Sequence, residues 1–178
     1  DQGDHQFQQA AALGAQAPGR VNVLAGRLAE GVSRAEAMAT LQANLRAALP
    51  RFAAVGVRVG LEAINRYDMP GFLLNTPADL AEVWQALGRH PLLDGQIDLY
   101  HMAREGQDLP ALLAQPPLPI GHLQFADCPG RGAPGSGALD WPRLFALIDQ
   151  YYPDTYCAAE YRMELHAQLD VRAGWPLR

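Results

Sequence analysis

The spacing of hydrophobic and polar positions changes period repeatedly along the chain, and each change marks an element. Val21-Asn22-Val23-Leu24-Ala25-Gly26 is a short β-branched run closed by glycine, the pattern of a buried strand. From Ser33 the period becomes helical and continues to about Val55; Glu36 completes a capping box with Ser33, and Gly56 ends the helix. Val57–Asn65 (VRVGLEAIN) predicts a second strand. Thr76-Pro77 then predicts a helix start, a capping hydroxyl followed by proline at the first helical position, with the helix running to near Gly88. Further strands are expected over Gly95–His101, Ile120–Asp127 and Thr155–Tyr161. Between them fall a helical segment within Asp108–Gln115 and a helix from Trp141 to about Tyr151 capped by Asp140. A Gln- and Ala-rich helix over His5–Leu13, stopped by Gly14, precedes the first strand.

Strand and helix alternate, which argues for parallel strands joined by right-handed helical crossovers, an α/β protein. Polar residues sit inside or at the C-terminal ends of the strands: Glu62, Asn65, Asp98, His101, Gln124, Asp127 and Glu160. In an open doubly wound sheet the ligand meets the strands only at a switch point, whereas a (β/α)8 barrel gathers its site from many strand ends. Polar residues on four successive strands favour the barrel. A barrel has eight strands, so the expectation is a (β/α)8 TIM barrel of which this chain holds only the C-terminal five strands, as a single partial domain over residues 1–178. The chain opens on a helix, so the missing strand-helix units are expected on the N-terminal side.

Composition narrows the chemistry. All 14 basic residues are Arg, which excludes a lysine Schiff base, a lysine base or a P-loop lysine. The net charge of −5 provides no basic footprint for nucleic acid. No apolar run of about 18 residues is present, so no membrane partner is expected. Cys128 and Cys157 form no CxxC pair, which fits a reducing, cytoplasmic setting.

Glu62 and Glu160 occupy strand positions among small apolar residues, where a carboxylate is costly unless paired or metal-bound. Asp98 and Gln124 lie in the two strands between them. Together the four supply oxygen donors from four strand ends, a cage suited to Mg²⁺ or Mn²⁺ rather than zinc. A structural hydrogen bond or an ion pair with Arg explains any one of them alone equally well. His101 is read as a substrate-polarising or proton-relaying group, with a core histidine as the alternative. His122 is read as structural, and His5, His90 and His166 receive no role. The glycine-rich loop Cys128–Gly137 lacks the lysine and spacing of a P-loop; Arg131 within it is a candidate clamp for a substrate carboxylate.

The segments LEAINRYDMPGFLLNT, IDLYHM, GHLQFADCPGRGAPGSGALDW and AAEYR, in that order, resemble the hydroxypyruvate isomerase family within the xylose-isomerase-like TIM barrels. Q-x-A-D-x-P-G-R-x-x-P-G-x-G, Gln124 to Gly137, is the most specific stretch. The resemblance implies interconversion of hydroxypyruvate and tartronate semialdehyde, a small 2-oxo/hydroxy acid substrate. Glu62 and Glu160 match the family's proton donor and acceptor, which in the wider superfamily also hold a divalent metal. Asp98 and Gln124 match the other two ligand positions. His101, Arg131 and, more weakly, Asp68 match positions near the substrate. Many relatives carry His in place of Gln124, which leaves open whether the ion is required.

Three other functions are compatible with the same residues: an isomerase of a larger 2-oxo acid, a ketose 3-epimerase, or a non-catalytic barrel fragment serving as a binding or assembly module. Two open sheet edges would also admit a homo-oligomer.

Overall fold

The computed structural model describes residues 19–162; the helix expected over His5–Leu13 lies outside them. Five strands form one sheet in the order β1-β2-β3-β4-β5, every neighbouring pair parallel: β1 Arg20–Val23, β2 Arg58–Glu62, β3 Leu93–Asp98, β4 Ile120–Phe125 and β5 Cys157–Ala159. The helices are α1 Arg34–Ala54, α2 Pro77–Ala86, α3 Leu99–Arg104, α4 Leu109–Ala114 and α5 Trp141–Tyr151. Sequential strands lie side by side, so every C-terminal strand end falls on one rim.

The helix starts follow from their caps. Ser33 and Glu36 form the expected capping box, and Thr76 and Asp79 form a second. Asp108 and Asp140 accept from Ala111 N and Arg143 N, each with proline in the first turn. α1 buries Met38, Leu41, Leu45, Leu49 and Phe52, a stripe at helical spacing laid on the outer face of the sheet. That outer face is apolar, with Val59, Leu61, Leu93, Ile97, Leu123 and Phe125 all buried. Phe125 meets Trp141 at 5.6 Å and Phe145 at 5.5 Å between ring centroids, which seats α5 on β4.

The inner face is polar. Arg20 of β1 pairs through both guanidinium nitrogens with Asp94 of β3, and Arg58 of β2 reaches the same carboxylate at 2.9 Å. The Asp94 side chain is 1% exposed. Glycines make room: a Cβ on Gly60 would stand 3.3 Å from Arg20 Nη1, and one on Gly121 of β4 would collide with both Arg20 and Asp94. In a flat sheet β4 would lie about 14 Å from β1, beyond the length of an arginine side chain. Contact of Arg20 with both β3 and β4 therefore requires a strongly curled sheet, an open half-barrel with its helices outside.

Several boundaries differ from expectation: β1 ends at Val23, β4 at Phe125, and β5 covers only Cys157–Ala159, so Glu160, expected within the last strand, follows it. β2 stops at Glu62 because Ala63–Asn65 leave the ladder, where Asn75 Nδ2 donates to Ile64 O at 2.7 Å. β3 begins two residues earlier than Gly95 and ends at Asp98. His101, expected at the end of that strand, lies on α3, because the Asp98 side chain accepts from Tyr100 N at 2.9 Å and starts a helix there. No helix among the described residues is long and apolar enough to cross a membrane, and Cys128 and Cys157 are unpaired.

Asp94→Ala leaves Arg20 facing the buried inner wall without its counter-charge. We expect a loss of about 3 kcal/mol in urea unfolding. Arg34→Ala, which removes an exposed pair with Asp79 and Glu82, should cost no more than about 1 kcal/mol.

Candidate active site

Glu62 is the last residue of β2 and Asp98 the last of β3; Gln124 is the register partner of Asp98 on β4, and Glu160 follows β5 directly. Since side chains alternate along a strand, Asn22 and Gln96 point to the same inner face. Asn22 Nδ2 donates to Glu62 Oε2 at 2.6 Å. Gln96 Nε2 donates to the same oxygen at 3.1 Å and to Gln124 Oε1 at 2.6 Å. One oxygen of Glu62 is thus held by two amides, and the other has no hydrogen bond from them.

Arg131 reaches over this rim. Its Nη2 lies 3.3 Å from Glu160 Oε2 and 3.5 Å from Asp98 Oδ2, and its guanidinium stacks 5.0 Å above the Tyr100 ring. The backbone of Arg131 is left-handed, at φ 56°, an uncommon state for a non-glycine residue that the surrounding loop must enforce. Asp127 does this. Its buried carboxylate accepts from Cys128 N at 2.8 Å, Gly135 N at 2.8 Å and Leu139 N at 3.2 Å. Those amides of the glycine-rich loop turn inward onto Asp127, so they cannot cradle a phosphate, and the loop serves to present Arg131.

Burial sets the protonation of the two inner carboxylates. Loss of solvent raises Glu62; donation by Asn22 opposes this, and the nearby Glu160 charge adds to it. Loss of solvent also pushes Asp98 up to about 7, against the Tyr100 amide and Arg131, with Glu160 and Glu62 raising it further. His101 is pushed down to about 4 by burial and by Arg131, so its imidazole is neutral at physiological pH. Asp68 lies outside this buried group. Its burial acts upward, but donation from Tyr100 Oη at 2.7 Å and Asn65 Nδ2 at 3.1 Å holds it below the ordinary value.

Glu62, Asp98 and His101 each offer one ligand atom, all within 4.8 Å of one another. Asp98 and Glu160 share the Arg131 guanidinium, while Glu62 is held by neutral amides. A divalent cation fits that excess of negative charge, and the oxygen donors suit Mg²⁺ or Mn²⁺.

Residues 1–175 match the xylose isomerase-like TIM barrel family. The chain belongs to that family. It is 36% identical over 156 residues to the 2-oxo-tetronate isomerase of Cupriavidus necator, covering 88% of this chain and 59% of that protein. It is 32% identical over 159 residues to the hydroxypyruvate isomerase of Escherichia coli, covering 89% of this chain and 61% of that protein. The chain thus spans about three fifths of the length of these relatives. Among solved structures, the 3-keto-D-glucoside 4-epimerase YcjR of E. coli superimposes with a TM-score of 0.75 at 27% identity, over 94% of this chain and 66% of that one.

Within this family member, the structure brings Glu62, Asp98, His101 and Arg131 together, with Gln124 one hydrogen bond from Gln96 and Glu160 joined through Arg131. Asn22, Gln96 and Tyr100 were missed by sequence reasoning. A usable signal existed for Gln96, which stands two positions before Asp98 and hence on its face. Asn22 carried only the weak signal of a polar residue inside a β-branched run.

The raised Asp98 has a definite consequence for stability. Its value when folded, about 7, stands above the unfolded value of about 3.9, so between these the native chain holds a proton that the unfolded chain has released. The contribution of this group to stability therefore falls as pH rises from about 4 to 7. Asp98→Asn keeps the helix cap and removes the charge. Without divalent cations it should melt above the parent at pH 8, and the gap should close toward pH 4.

Proposed function

We propose that the protein is an isomerase that interconverts hydroxypyruvate and tartronate semialdehyde through an enediolate. The observation that carries this reading is the buried Glu62 carboxylate, held by Asn22 and Gln96 and facing the Arg131–Glu160 pair across the rim. Glu62 and Glu160 then act as the two proton-handling groups, one held rigidly and the other 45% exposed and free to adjust.

In the forward direction one carboxylate removes a proton from C3 of hydroxypyruvate, which is α to the C2 carbonyl. The electron pair forms the C2–C3 double bond and charge moves onto O2. The hydroxyl proton passes from O3 to O2, the O3 electron pair closes the C3 carbonyl, and the other group, protonated at the outset as a carboxylic acid, delivers its proton to C2 and is left as the carboxylate. Atoms and electrons balance without a redox partner. A divalent ion, held by Glu62, Asp98, Gln124 and Glu160, would supply charge stabilisation to the developing oxyanion. Arg131 holds the substrate carboxylate, for which a planar guanidinium is the matching shape. His101 and Asp68 face the substrate's remaining oxygens. The two unpaired cysteines suit a cytoplasmic setting.

The 36% identity to a 2-oxo-tetronate isomerase favours, as a second reading, the same chemistry on a four-carbon 2-oxo acid. A panel of three- and four-carbon 2-oxo acids and free ketoses, compared by kcat/KM, separates the two.

Glu62→Gln should lower kcat by about 10²-fold or more with an unchanged circular dichroism spectrum; full activity in this variant would overturn the assignment. Arg131→Lys should raise KM for carboxylate substrates about tenfold, the worth of one charged hydrogen bond. Mn²⁺ should raise the melting temperature of the parent and have a smaller effect on Asp98→Asn. Because Asp98 must give up its proton to hold the ion, this shift should weaken as pH falls below about 7.

A further inference from the structure

Asn65 follows β2 by three residues and is fully buried against His101. Its side-chain amide has only one possible orientation. The Oδ1 atom accepts from two backbone amides, Asp68 N at 2.8 Å and Tyr67 N at 3.1 Å. Turning the amide over would set two donors against two donors. Nδ2 therefore faces the other way, where it donates to Asp68 Oδ2 at 3.1 Å and meets His101 Nδ1 at 2.6 Å. The backbone N–H of Asn65, which can only donate, also points at His101 Nδ1, at 3.5 Å. Both groups present hydrogens to Nδ1, so this nitrogen must be the acceptor and the ring proton of the neutral imidazole must sit on Nε2.

Nε2 is the atom that looks into the site, 3.5 Å from Asp98 Oδ2. A protonated ring nitrogen has no lone pair for a metal. We propose that Asn65 is a positioning residue that locks His101 as its Nε2–H tautomer, so that the imidazole meets the site as a hydrogen-bond donor and leaves the ion to the oxygen donors. The proximity of His101 to Glu62 and Asp98 is then not ligation. A fixed N–H aimed past Asp98 is suited to an oxygen of the substrate that gains charge during enolisation, a use that rests on the isomerase reading; the tautomer itself does not.

The test reads the tautomer directly. In protein labelled with ¹⁵N at histidine, long-range ¹H–¹⁵N correlation distinguishes a protonated ring nitrogen from a bare one, and loss of the signal in His101→Gln assigns it. At neutral pH His101 should show a bare Nδ1 and a protonated Nε2, before and after addition of Mg²⁺. A proton on Nδ1 in either condition overturns the proposal. Asn65→Asp keeps an acceptor for the two turn amides but places a carboxylate against Nδ1. It should move the proton to Nδ1, whereas retention of Nε2–H would show that Asn65 does not set the tautomer. Asn65→Ala, which leaves only the weaker backbone donor, should yield a mixture of the two forms, and an unmixed Nε2–H form would likewise count against Asn65. In turnover, Asn65→Asp should lose about 10²-fold in kcat with KM little changed. If the parent turns over no 2-oxo acid while the spectrum is as expected, the functional reading fails and the tautomer assignment stands.

Discussion

Asp94, buried and gripped by Arg20 from β1 and Arg58 from β2, is the interaction on which the shape of the sheet depends. A parallel sheet with helices on one face could lie nearly flat; here a charge from the first strand has to reach the third, and the glycines at 60 and 121 clear its path. The curl that results turns the inner side chains toward a common axis. Without it Asp98 at the end of β3 and Glu160 after β5 would be too distant to share Arg131.

Above that cluster the inner face continues as a polar network rather than a packed apolar interior. Asn22 and Gln96 secure one oxygen of Glu62 and leave the other open, and Gln96 extends the same hold to Gln124. At the rim three carboxyl groups face one guanidinium: burial opposes ionisation of Glu62 and Asp98, and Arg131 is divided among Asp98, Glu160 and the Tyr100 ring. A site of this kind stores an electrostatic cost that a cation or an incoming carbon acid can relieve. Neutral His101 and left-handed Arg131 belong to the same design: each is held in a specific state by a neighbour, Asn65 in one case and the Asp127 loop in the other.

Much of this was legible in the chain. The capping box at Ser33, the capping hydroxyl of Thr76 before proline and the Asp140 cap located three helix starts, since capping is a local bond between residues three apart. Glu62, Asp98, Gln124 and Glu160 could be singled out because a carboxylate or amide among apolar strand neighbours is unusual. His101 was assigned to a strand because LEAIN-like apolar periodicity continues through IDLYH; the Asp98 side chain, which turns the chain there, acts through a single hydrogen bond that apolar spacing does not reveal. The glycine loop was ambiguous for a similar reason, as the direction of its amides depends on where Asp127 is buried.

By itself, then, the sequence determined the α/β alternation, the parallel strands and the unusual polar residues at the strand ends, because periodicity, caps and turn chemistry operate over a few positions. Only the tertiary structure decided the curl of the sheet, which oxygen of Glu62 is left open, the shared hold on Arg131 and the ring nitrogen of His101 that carries the proton. Each of those depends on groups 28 to 74 residues apart meeting in a medium from which water is excluded, where one donor or one charge changes the state of its neighbour.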